Sequence, residues 1–243
     1  MKKVLLVSVL SISLIAFSFS TSFAIPVLQL YIEGATYYGG SDETWITTSN
    51  SFRLWVIGNV SGEGGKGSIL HVNLTAAYPT SESGSISITP TMTAIVTDLS
   101  TPIIPSFVTN GVGTQPIMGD GSSLQPHGIF GLGTSWTQYL IGDFNLTDSP
   151  VADLITAFPP YPAGWTSNAG QINAYDILVS GYSWVHFDAF DHYVKNNNGS
   201  QYVKAPFSHD AEGGGTVPEP GILILLGIGM TAVGVASRWI RKI

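Results

Sequence analysis

Between residues 186 and 210 the chain concentrates imidazole and carboxylate side chains, namely His186, Asp188, Asp191, His192, His209 and Asp210. On an extended strand, residues two apart face the same side, so the His186 imidazole and the Asp188 carboxylate can converge on one ion. A zinc site needs three or four ligands within about 2 Å of the metal. A calcium site would instead draw on Asp188, Asp191 or Asp210 together with backbone carbonyls. The competing reading of the same residues is a solvated strand face whose side chains bond to water and to one another.

Other chemistries find less support. There is no cysteine, which excludes disulfides, thiolate nucleophiles and cysteine-ligated zinc or iron–sulfur sites. No Gly-x-Ser-x-Gly elbow occurs, and Gly131-Leu132-Gly133 lacks the context and the last glycine of a nucleotide-binding turn. The tryptophans Trp45, Trp55, Trp136, Trp165 and Trp184 permit sugar stacking, although aromatic residues in a β protein mostly fill its core. Between Ile25 and Val217 four basic residues face fifteen acidic ones, a net charge of −11. That surface repels phosphate backbones and excludes nucleic acid as a partner. The residues therefore point to a module without catalysis. The alternative is a metal-dependent, calcium or zinc, extracytoplasmic carbohydrate-active enzyme.

The elements that must position these side chains read as strands. Leu28, Leu30 and Ile32 alternate with Gln29, Tyr31 and Glu33, and Leu70 to Ala76 alternates strictly, as expected for strands with one face on a core and the other in water. Trp45 to Val60 places Phe52, Leu54 and Val56 on one face, and Ser85 to Thr89 repeats the alternation, with Ala94 to Val96 a shorter candidate. Tyr175 to Val194 reads as two strands around Ser180-Gly181, with Val185 and Phe187 inward and His186 and Asp188 outward. Residues 100–126, rich in proline and glycine, read as a long loop, a length that marks a functional or mobile segment or an unrecognised element. Val151, Leu154, Ile155 and Phe158 have the spacing of one short helix. About eight or more strands with frequent turns predict an all-β, sandwich or jelly-roll-like domain.

Both termini carry targeting patterns. Lys2 and Lys3 precede an apolar run and a small-x-small site at Ser22 and Ala24, so residues 1–24 read as a secretory signal peptide met by the translocon and signal peptidase. After an exported domain over residues 25–212, residues 213–216 form a Gly-rich spacer. Val217-Pro218-Glu219-Pro220 follows, then an uncharged stretch from Gly221 to Ala236 and the cations Arg238, Arg241 and Lys242. Such a stretch reads as one transmembrane helix whose basic end stays cytoplasmic, which places the domain outside. The two prolines hold the segment around Glu219 extended just outside the membrane. Export makes calcium the favoured ion for the His/Asp cluster, with no obligatory cofactor expected.

The order of parts over residues 217–243 resembles the PEP-CTERM sorting signal. The resemblance implies recognition by an exosortase-like membrane protein and transient anchoring in the inner membrane. It implies transit to the cell surface or beyond, and a role in producers of exopolysaccharide, biofilm or floc. A second resemblance lies inside the domain. His127-Gly128-Ile129-Phe130, Tyr175 to Ser180, Val185-His186-Phe187-Asp188 and Ala205 to Ala211 look like motifs of the choice-of-anchor N family. That resemblance implies an exported domain joined to an interchangeable anchor, with no assigned activity.

Overall fold

A computed structural model describes residues 25–39, 44–61, 65, 67–96, 98–155, 165–194, 200–206 and 210–214. The segments read as signal peptide and sorting signal, with Ser22, Ala24, Val217, Pro218, Glu219, Pro220, Arg238, Arg241 and Lys242, lie outside the described residues. Among the described residues no helix is long and apolar enough to cross a membrane, and every regular element is a strand.

Among the described residues thirteen strands form two sheets. The first contains β1 (Leu28–Ile32), β4 (Ser51–Asn59), β10 (Thr166–Ser180) and β6 (Ser85–Thr91) in that order, with β9 (Ser149–Val151) alongside β10. The second runs β2 (Thr36–Tyr38), β3 (Thr44–Thr47), β13 (Ala211–Gly213), β11 (Val185–Val194), β5 (Ile69–Pro79), β8 (Thr134–Phe144) and β7 (Ser106–Val112), with β12 (Ser200–Lys204) on β11. Neighbours pair antiparallel except β13, which lies parallel to β3. The last described strand is therefore inserted inside a sheet rather than added at its edge.

Period-two alternation builds the layer between the sheets. Leu28, Leu30, Ile32, Leu54 and Val56 from the first sheet meet Val72, Leu74, Ala76, Val185, Phe187 and Ala189 from the second. The expectation of one wet face holds for β6, whose Ser85, Ser87 and Thr89 are exposed, and fails for β1 and most of β5, where loops cover the outer face too. All of β1 is buried, and Tyr31, Trp55, Ile57 and Ile172 pack outward against Val96, Leu99, Val151 and Leu154. On the outer face of the second sheet, Ala77, Trp136 and Phe190 are capped by Leu124 and Phe130. The tryptophans available for sugar stacking are largely consumed here: Trp45, Trp55 and Trp136 are buried.

Three further expectations are corrected. The 100–126 loop contains β7, an edge strand paired with β8. The helix expected after Asp148 is instead β9 through Val151, followed by a turn. Val151 and Leu154 cover the outer face of the first sheet, and β9 fits because Gly170 opposite has no side chain; a Cβ there would stand 2.5 Å from Val151 Cγ1. Ala94 to Val96 is bent rather than extended in a ladder.

Gln29, expected to face water, is fully buried and holds this covering segment in place. Its Nε2 donates to Ala152 O at 2.6 Å, and Leu154 N donates to its Oε1 at 3.3 Å. Gln29→Leu keeps the volume but orphans both backbone groups. It should cost about 1–3 kcal/mol of stability in urea unfolding, whereas a solvated side chain would cost almost nothing.

Candidate metal centre

Alternation on β11 sends Val185 and Phe187 into the inter-sheet core and leaves His186 and Asp188 on the outer face. The ladder to β13 pairs His186 with Glu212 and Phe187 with Ala211, so Asp210 falls beside Asp188 on the same face. Trp45 N donates to Asp210 O at 3.1 Å, which fixes that residue at the entrance to β13. The fourth group arrives from above. His127 sits in the turn where Ile129 N and Phe130 N donate to Pro126 O at 2.7 and 3.1 Å, and Phe130 anchors the turn in the outer cluster. His127 has φ of 30°, a strained backbone for a residue with a Cβ.

One ligand atom from each of His127, His186, Asp188 and Asp210 lies within 4.8 Å of every other. The two Nε2 atoms are 3.2 Å apart. His127 Nε2 is 3.4 Å from Asp188 Oδ1 and 3.6 Å from Asp210 Oδ2. His186 Nε2 is 3.6 Å from Asp188 Oδ2 and 3.7 Å from Asp210 Oδ2. A tetrahedral ion bound at about 2.0–2.2 Å requires ligand atoms about 3.3–3.6 Å apart; the distances here run from 3.2 to 3.7 Å, with Asp188 turning a different oxygen to each imidazole. Side-chain exposure is 9% for His127, 2% for His186, 3% for Asp188 and 0% for Asp210, so three of the four are shut from solvent and His127 is partly buried. Asp188 Oδ2 is buried without a hydrogen-bond partner.

Neighbours act on both rings. His127 Nδ1–H donates to Gln125 O at 2.8 Å, which leaves its Nε2 lone pair directed at the cluster. His186 Nδ1 is 3.5 Å from Glu212 Oε2, too long for a hydrogen bond but within ion-pair reach. Glu212 therefore acts on this imidazole through its charge rather than by fixing its tautomer. Facing lone pairs at this distance repel unless a cation or a proton sits between them.

The electrostatics agree with that picture. Burial, helped by His186, lowers His127 to about 3, so it stays neutral and ready to ligate. Burial alone would lower His186, but Asp188, Asp210 and Glu212 outweigh it and raise this imidazole well above its ordinary value. Burial and then Asp210 raise Asp188 well above the usual carboxylate range, His186 and Lys204 opposing. Lys204 is the cation on the flank, its amine donating to Gln125 Oε1 at 3.1 Å. Burial lowers its pKa, and Asp210 and Asp188 act to raise it again.

Of the six residues singled out in sequence, the structure gathers His186, Asp188 and Asp210. Asp191 lies elsewhere, accepting from Asn73 Nδ2 at 3.1 Å. His192 is a backbone position of β11 opposite Tyr202 and Leu70, and His209 lies outside the described residues. Sequence reasoning missed His127 and Glu212 as members of this group. Glu212 follows Asp210 at the same period of two that linked His186 to Asp188, so it was open to discovery. His127, far away in sequence and on a turn, carried no spacing signal.

No curated protein matches the chain. Among solved structures, the crystal structure of ACE19, the collagen binding subdomain of Enterococcus faecalis surface protein ACE, aligns with 79% of this chain and 99% of its own length. Identity is 8% and the TM-score 0.23, a likeness too slight to carry an argument. Residues 216–242 match the PEP-CTERM protein-sorting motif, directly after β13. By that motif the chain carries the signal of an exosortase-processed surface protein, exported and held at the membrane in transit.

Proposed function

We propose that this is an exosortase-sorted, non-catalytic surface module whose β-sandwich is fastened by a buried divalent metal centre of the zinc class. The observation that carries this reading is the pair of imidazole Nε2 atoms facing one another at 3.2 Å, with two carboxylates completing the set. Two nitrogen ligands favour zinc-like ions over calcium, which takes oxygen ligands almost throughout. The preference for calcium drawn from export alone therefore gives way to zinc. The burial of the ligand set supports a structural role, since catalytic zinc keeps a position open to water or substrate. The ion would join three pieces of chain distant in sequence: the His127 turn, β11 and the start of β13. Display at the cell surface or in an extracellular matrix belongs to the same proposal.

Delivery is tested separately from the metal. In a host with an exosortase, a tagged full chain should reach the cell surface in a shortened form. A version lacking residues 217–243 should leave the membrane fraction without that second trimming. Identical compartments and identical masses for the two would overturn the sorting part of the proposal.

A further inference from the structure

On the same outer face, beyond the His/Asp cluster, a cleft of about 470 Å³ is lined by His71, Asn73, Val108, Gln138, Leu140 and Asp191, with Ile117 and Gly119 at its rim. Its volume lies within the roughly 300–1,000 Å³ usual for small-molecule sites. Two strand bulges meet here. The ladder of β5 with β8 breaks between Ile69 and Val72, which frees His71. The ladder of β11 with β5 shifts at the same place on β5, between Phe190 and His192, so Asp191 stands opposite this bulge. The ladder of β7 with β8 shifts between Phe107 and Thr109, at Val108. A bulge costs ladder hydrogen bonds and re-aims one side chain. Both bulged residues line one cleft, together with Asp191.

His71 adds backbone strain, with φ of 54° held by its N–H donating to Asp143 Oδ1 at 2.7 Å. Asn73 uses its Nδ2 twice, donating to His71 O at 2.7 Å and Asp191 Oδ2 at 3.1 Å, so it ties the β5 bulge to Asp191. Gln138 is only 6% exposed and lines the cleft. Its amide carries two donors and an acceptor.

We propose that this cleft binds a neutral polyhydroxylated ligand of the saccharide class. Gln138 donates to and accepts from hydroxyls, Asp191 accepts from them, and His71 does either through its ring. Val108, Leu140 and Ile117 provide an apolar strip for C–H faces. Among the described residues no Lys or Arg lines the cleft and Asp191 does, so anionic ligands are disfavoured. The site is distinct from the metal centre and stands without it.

Affinity electrophoresis of the full-length protein in detergent, through native gels containing dextran, galactomannan or polygalacturonate, tests the inference. At least one neutral polymer should retard the protein and polygalacturonate should not. Gln138→Leu, which removes the amide and keeps the bulk, should weaken retardation by about tenfold or more. Asp191→Asn provides a second variant should the first unfold, with thermal unfolding reporting which variants stay folded. Retention should survive chelator, which separates this site from the metal centre. No retardation by either neutral polymer, equal retardation by polygalacturonate, or undiminished retardation of a folded variant would overturn it.

Discussion

Zinc added to the metal-free protein should raise its melting temperature by about 8–16 °C, while calcium at the same concentration leaves it nearly unchanged. The size follows from linkage: an ion present at about a thousand times its dissociation constant stabilises the folded state by about 4 kcal/mol. For a domain of this size each kcal/mol moves the midpoint by roughly 2–4 °C. The ligand atoms come from separate parts of the chain, so the unfolded state holds them too far apart to compete for the ion. Asp188→Ala should abolish the zinc response and leave a protein that still unfolds cooperatively. Differential scanning calorimetry with and without chelator reads all three results.

The pH dependence follows from the directions of the shifts at the cluster. In the metal-free state Asp188 and His186 bind protons more tightly folded than unfolded. Their contribution is therefore fully present below the ordinary carboxylate and imidazole values and is lost as pH rises through the folded values. The metal reverses the slope, since it binds only ligands that have given up their protons. The zinc increment should accordingly grow as pH rises toward the raised folded values of Asp188 and His186. Asp210, Glu212 and Lys204 surround the same groups.

Gly213→Val should be the most damaging single change at the exit of the domain. Gly213 closes β13 with its Cα against the Phe52 ring, and an added Cβ would overlap that ring directly. Phe52 is buried in the inter-sheet core against Phe187, with ring centroids 6.1 Å apart, and has little room to withdraw. The strand must then move away, at a cost of about 3 kcal/mol or more. Asp210 and Glu212 move with it, so the variant should also lose its zinc response. A solvated linker at this position would tolerate valine, and an unchanged melting temperature would refute the packing described here.

That glycine also marks a limit of sequence reading. Gly213 to Thr216 has the composition of a flexible spacer, and its first residue is nonetheless a core strand position. Composition reports what a backbone can do, and only the paired strands on either side decide what it does. The same cause explains other departures. Alternation in β1 and β5 correctly identified strands and the face turned to the inter-sheet core. It could not reveal that loops from residues 94–100 and 116–130 would return to bury the opposite faces. Val151 and Leu154 kept a helical interval because both cover one sheet face, which a strand and a turn accomplish equally well. At the cluster, the i, i+2 rule found His186 with Asp188, since both lie on one strand. Asp210 and His127 join them through pairing and loop closure, which local spacing does not encode.

X-ray absorption at the zinc edge of the loaded full-length protein tests the metal centre most directly. Two imidazole nitrogens and carboxylate oxygens at about 2.0–2.2 Å, at one ion per chain and with the imidazole signature halved in His127→Ala, are the expected result. A first shell of oxygens without imidazole scattering, or a protein that takes up no zinc at all, would contradict it.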